Sequence, residues 1–184
     1  MSDRDSTDAA VADVGRAPVR VRRARPSDAA ALVTLAKLVG AEPEGWLVTS
    51  GEWRSRRDER RYLRAVHDSP HAAVLVAENG DEIVGRLSIV RDSHPACAHV
   101  ADVGIMVAHD HRRQGVGKAL LRGAEQWARG AGIRKIELHV FPYNDAALGL
   151  YESAGYDREG YRRGHFSRAG TVVDAVLMAK HLPR

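Results

Sequence analysis

The chain has 184 residues, 44% hydrophobic and 28% charged, with a formal net charge of +4 at pH 7. One domain of ordinary composition fits that length, typically ~100 to 200 residues per domain, and wholesale disorder is excluded. A single cysteine, Cys97, excludes an internal disulfide or a cysteine metal site and points to a reducing compartment, and no apolar run approaches the ~18 residues of a membrane helix.

Residues Met1 to Pro18 carry no sustained apolar period and read as a disordered leader. Their acidic start, Met1-Ser2-Asp3-Arg4-Asp5, is unlike a secretory signal, so a cytoplasmic location without a membrane partner is expected. A single domain is expected over 19–184. Val19 to Arg22 alternates as a strand, and Pro26-Ser27-Asp28 opens a helix bearing Leu32, Leu35, Leu38 and Val39. Gly40 to Gly51 reads as a loop and Glu52 to His67 as a second, arginine-rich helix. Its Glu52, Asp58 and Glu59 stand at i,i+3 and i,i+4 spacing from arginines, so a salt-bridged surface is expected there and no nucleic-acid partner. Trp53, Leu63 and Val66 form its expected buried side.

Ala72 to Ala77 and Ile83 to Val90 are apolar runs around Asn79-Gly80, a dipeptide suited to a hairpin turn. Val100 to Val107 alternates again, with Val103, Ile105 and Val107 on one face and Asp102, Gly104 and Met106 on the other. Gly115 to Ala131 repeats apolar residues at helical spacing, Ile136 to Val140 reads as a buried strand, and Asn144 to Ala154 as a helix. Two last strands are expected near Gly155 to Gly160 and Thr171 to Met178. The fold class is therefore mixed α/β with a βαβ unit in the middle.

The informative segment is Arg112-Arg113-Gln114-Gly115-Val116-Gly117-Lys118, between the strand ending at Val107 and the periodic helix. A strand running into a glycine-rich turn that opens a helix presents unpaired backbone N–H groups and the positive end of the helix dipole. Such a turn suits a pyrophosphate, with Gly115 and Gly117 allowing close approach and Arg112, Arg113 and Lys118 adding charge. A Walker loop would need glycine at Arg112 and Ser or Thr at Ala119. A dinucleotide fingerprint would need a third glycine at Leu120.

Arg112-x-x-Gly115-x-Gly117 resembles the acetyl-CoA signature of the Gcn5-related N-acetyltransferase superfamily, [Arg/Gln]-x-x-Gly-x-[Gly/Ala]. A second segment, Asn144-Asp145-Ala146-Ala147 with Leu150-Tyr151-Glu152-Ser153-Ala154-Gly155-Tyr156, looks like that family's downstream helix at the usual distance. The resemblance implies that family's α/β fold with a splayed central strand pair, acetyl-CoA as co-substrate, and no metal. It further implies backbone hydrogen bonds to pantetheine from Ile105, Met106 and Val107, with an N–H polarising the thioester carbonyl. Pyrophosphate contacts are implied for Arg112, Arg113, Gln114, Gly115, Val116, Gly117 and Lys118, and a contact with the CoA arm for Asn144.

Tyr151 matches the tyrosine that protonates the departing thiolate in that family; the other reading of the residue is a core aromatic. The acceptor ammonium must lose a proton before it attacks. Asp102, similar in position to a glutamate of several small-molecule members, is the first candidate base, directly or through water. Its alternative is an ion pair with Arg86 or Arg91. His99 is a second candidate, and Glu137 and His139 are weaker ones. The C-terminal stretch resembles the subset acting on amino acids, polyamines and related small amines, where Trp46, Trp53, Tyr161, Arg162 and His165 would face the substrate. The expected activity is direct acetyl transfer to a primary amine of a small molecule. A protein N-terminal or lysine acetyltransferase and a non-catalytic CoA-sensing module are the alternatives. A homodimer is common in such families, with no interface legible here.

Overall fold

The computed structural model describes residues 19–47, 53–168 and 170–183. The leader over residues 1–18, the end of the first loop and the expected helix start at Glu52 lie outside the described residues. In chain order the elements are β1 (Arg20–Arg23), α1 (Ala29–Gly40), α2 (Arg56–His67), β2 (Ala72–Asn79), β3 (Glu82–Arg91) and β4 (Val100–Val107). They continue as α3 (Val116–Gly130), β5 (Lys135–Val140), α4 (Asp145–Ser153), β6 (Asp157–Arg168) and β7 (Thr171–His181). One sheet holds all seven strands in the order β1-β2-β3-β4-β5-β7-β6. All neighbours pair antiparallel except β4 and β5, which run parallel across α3.

Apolar alternation assigns each sheet face its helices. Leu75, Leu87, Ile89, Val103, Ile136 and Leu138 pack with Leu120, Leu121 and Ala124 of α3 and Leu148 and Tyr151 of α4. On the opposite face Val74 and Val76 meet Leu32 of α1 and Leu63 and Val66 of α2, while Met106 meets Leu35, Ala36 and Val39. No helix among the described residues is long and apolar enough to cross a membrane. Leu120 is fully buried where α3 crosses the sheet. Leu120→Ala is expected to lower unfolding free energy by about 2–5 kcal/mol, read from a urea titration.

Local chemistry sets the helix starts. Ser55 accepts the Asp58 N–H at 3.2 Å at the head of α2, and Asn144 accepts the Ala147 N–H at 3.1 Å at the head of α4. The arginine-rich helix departs from expectation at one residue. Asp58 pairs with Arg61 on the surface, whereas Glu59 is fully buried and turns inward, because its position shares the stripe of Leu63 and Val66.

Before α1, Asp28 accepts from Arg22 Nη1 at 2.7 Å, Arg22 Nη2 at 3.1 Å and the Arg25 N–H at 2.6 Å. Burial by itself raises the Asp28 carboxyl, and these donors outweigh it, so the group titrates below the ordinary carboxylate range. A depressed folded value makes this stabilisation present above the unfolded pKa, about 3.9, and lost as pH falls through the folded one. Asp28→Asn is therefore expected to cost about 1–2 kcal/mol near neutrality, with the gap to wild type closing below about pH 3 in parallel urea titrations.

Strands β6 and β7 are longer than the sequence suggests, reaching Arg168 and His181. Most of β6 is exposed, so it lacks the in–out alternation by which a half-buried strand is recognised.

Candidate active site

The site begins where two neighbouring strands part. Strand β4 pairs with β3 along its whole length, but with β5 only from Val100↔Lys135 to Asp102↔Glu137. Beyond that rung β4 runs on to Val107 and β5 to Val140 with no pairing between them. The Ala108 N–H donates to the Val84 carbonyl and the Asp92 N–H to the Val100 carbonyl, both at 2.9 Å, so even-numbered residues of β4 aim their backbone groups at β3. By alternation the backbone groups of Ile105 and Val107 face the gap. The Val107 carbonyl accepts Arg112 Nε at 3.1 Å, leaving its N–H and both groups of Ile105 toward the opening. Met106 corrects the expectation: its backbone belongs to the β3 ladder opposite Arg86, and only its side chain lines the cleft.

At the head of α3, Gly115 adopts φ +82° and Arg113 φ +61°, left-handed conformations that fold the turn over the helix start. Ala119 is bonded to the Gly115 carbonyl at 2.9 Å, and no side chain caps the helix, so the N–H groups of Val116, Gly117 and Lys118 project from its positive end. The two glycines have separate causes. At Gly115 the backbone requires it, since a Cβ would meet nothing there; at Gly117 a Cβ would stand 2.8 Å from Leu150 of α4.

Not every expected contact of the turn reaches the opening. Arg112 lines the opening but directs its fork at Glu42, with bonds of 2.8 and 2.6 Å, which neutralises its charge and ties the turn to the segment after α1. Gln114 bonds back to the Asp110 carbonyl at 2.7 Å, and the Val116 side chain is buried in the core, so those two contribute backbone only. Arg113 and Lys118 line the opening and are in no ion pair among the described residues. Three convergent amides with two cations fit a pyrophosphate.

Gap and turn open into one cleft of about 830 Å³, closed by His139 and Val140 of β5 with Phe141 after it, by Asn144 and α4 as far as Tyr151, and by Trp46, Trp53, Arg86 and Ser88 opposite. Asn144 spends its side-chain oxygen on the α4 cap, leaving its amide nitrogen for the cleft. Tyr151 is 5% exposed. Burial, with the negative charge of Asp102 second, pushes its phenol well above the ordinary value, so it stays protonated throughout the physiological range.

The candidate bases separate by position. Asp102 does not line the cleft; its side chain is 57% exposed, and its Oδ2 stands 3.6 Å from His139 Nδ1. Neither arginine proposed as its partner takes it. Arg86 lies nearest Glu59, and Arg91 donates to the carbonyls of Ala98 and Ala131. His139 does line the cleft, stacked 4.6 Å from His165, with Nε2 buried and unpartnered among the described residues. Desolvation, then His139 and Arg162, pushes the His165 pKa down. Glu137 sits 3.4 Å from Lys135, and His99 lies away from the cleft, its carbonyl receiving Arg134 and Lys135.

Of the aromatic and basic residues expected at the acceptor, Trp46 and Trp53 line the cleft. Tyr161 is exposed and donates to Asp174, and Arg162 lies outside the cleft. In the sequence Arg86 stands out only as a partner for Asp102, and Ser88 does not stand out. The available signal was a lone arginine inside the apolar run Ile83-Val84-Gly85-Arg86-Leu87-Ser88-Ile89.

A family model described as the acetyltransferase (GNAT) family matches residues 40–156. The chain is similar to the L-amino acid N-acetyltransferase AaaT of Escherichia coli, 36% identical over 117 residues, covering 61% of this chain and 70% of that protein. It is also similar to the N-alpha-acetyltransferase RimI of Mycobacterium tuberculosis, 37% identical over 114 residues, covering 61% of this chain and 68% of that protein. Among solved structures, yncA from Salmonella typhimurium, a putative acetyltransferase with its cofactor acetyl-CoA, shares the fold. Its TM-score is 0.78 at 20% identity, over 90% of this chain and 95% of that one.

Proposed function

Since the chain belongs to the GNAT acetyltransferase family and is an acetyl-CoA-dependent N-acetyltransferase, we propose that it acetylates the primary amine of a small molecule by direct transfer. The observation that carries this reading is the single cleft joining the β4–β5 gap, the amides at the head of α3, Tyr151 and His139. The thioester supplies an acetyl group already activated for attack.

The N–H groups of Val116, Gly117 and Lys118, with Arg113 and Lys118 beside them, hold the pyrophosphate. Backbone groups of Ile105 and Val107 fix the pantetheine arm, and an N–H of this edge polarises the thioester carbonyl and stabilises the oxyanion formed on attack. His139, with the Asp102 carboxylate 3.6 Å from its Nδ1, takes the proton that the acceptor ammonium must lose, and the freed nitrogen attacks the carbonyl carbon. The tetrahedral adduct then collapses: the bond from carbon to sulfur breaks, Tyr151 donates a hydrogen bond to the departing sulfur, and the thiolate takes up the proton that the new amide nitrogen sheds. The raised pKa of Tyr151 suits a donor that stabilises the leaving thiolate without ionising.

Similarity to the N-alpha-acetyltransferase sets the competing reading, acetylation of a protein N-terminus. Incubation with acetyl-CoA and two acceptor pools, one of amino acids and polyamines and one of short peptides with free N-termini, separates the two by product mass. An acetylated product confined to the small-molecule pool is expected; products from the peptides alone would overturn the proposal.

A further inference from the structure

The cleft wall formed by Trp53, Arg86 and Ser88 carries charge that the transfer chemistry leaves unused. Glu59 is fully buried on α2, and Arg86 on β3 is 6% exposed. Glu59 accepts Arg54 Nη1 at 3.2 Å, while its other oxygen stands 3.9 Å from Arg86 Nη2, beyond hydrogen-bond length. The Arg86 guanidinium lies 5.1 Å over the Trp53 ring. Among the described residues, Arg86 Nε and Trp53 Nε1 are buried donors without an acceptor, and both residues line the cleft.

Arg54, half exposed, donates the one hydrogen bond that Glu59 accepts among the described residues, so Arg86 has no hydrogen-bonded carboxylate there and the wall keeps two orphaned donors, Arg86 Nε and Trp53 Nε1. A buried donor is costly to leave unpaired, and a buried charge more so. What the wall lacks is an anion with at least two acceptor oxygens. The position is also apt. Arg86 pairs in register with Met106, between the two residues whose backbone faces the gap, and Ser88 pairs with Gly104 on the same sheet face.

Resting on the acetyltransferase reading above, we infer that Arg86, with Trp53 Nε1 beside it, binds a carboxylate of the acceptor, so that the substrate is an amino acid and not a polyamine. Guanidinium suits this task because its planar fork meets a carboxylate by two parallel hydrogen bonds. Buried donors of this kind also reject an analogue lacking the anion, since they are then left unpaired.

The test is calorimetric binding of the L-amino acids, and of the same compounds as C-terminal amides, to the CoA-loaded protein. Acetylated product is followed in parallel. At least one amino acid is expected to bind about tenfold or more tightly than its amide, and Arg86→Gln is expected to abolish that preference. Should Arg86→Gln fail to fold with Glu59 left buried, Arg86→Gln combined with Glu59→Gln removes both charges and reads the same loss. Trp53→Phe, which keeps the ring and removes the N–H, is expected to narrow the preference. Equal binding of acids and amides by wild type, no amino acid bound, or a preference that survives loss of Arg86 each overturns the inference. Binding with the predicted preference but no acetylated product would instead count against the transfer reading alone.

Discussion

Tyr151→Phe is expected to lower kcat by about 100-fold or more while leaving acetyl-CoA affinity within about threefold. The substitution removes one oxygen from a side chain that is otherwise packed in the core with Leu148 and Tyr156, so the helix and the cleft persist. The expected loss falls on kcat because the hydroxyl interacts with sulfur only as charge develops there. Steady-state kinetics beside a thermal melt separates this from unfolding. A variant with unchanged kcat would return Tyr151 to a packing role.

His139→Gln is expected to reduce kcat/KM by about 100-fold or more at neutral pH, and Asp102→Asn by a smaller factor of about 10. The order follows from geometry: His139 lines the cleft, whereas Asp102 does not and stands 3.6 Å from His139 Nδ1. Both variants are expected to recover as pH approaches the acceptor amine's own pKa, because a neutral amine no longer needs a base. An Asp102→Asn loss as large as that of His139→Gln would make the aspartate the proton acceptor and the histidine its support.

Regular alternation and helical periodicity made the sheet from β2 to β5 and the helices α3 and α4 legible, since each buries one defined face. The motif Arg112-x-x-Gly115-x-Gly117 likewise located the turn, although the residue-level reasons differ. Gly117 answers to Leu150, and Arg112 to Glu42, seventy residues earlier in the chain. Partnerships across that distance leave no periodic trace. For the same reason the burial of Glu59 and the open donors of Arg86 were hidden, because a charge inside an amphipathic helix or strand reads as surface until its neighbours are known. Asp102 comes first among the candidate bases in the sequence because the family resemblance points to its position, whereas the cross-strand neighbourhood of Asp102 and His139 has no sequence signal.

On the proposed reading the β4 edge and the head of α3 together receive acetyl-CoA. Amide hydrogen exchange resolved by residue, with and without acetyl-CoA, tests it most directly. Exchange is expected to slow at Val107, Val116, Gly117 and Lys118, while Met106, already in the β3 ladder, is unchanged. Slowing confined to other surfaces, with these four amides unaffected, would contradict the account.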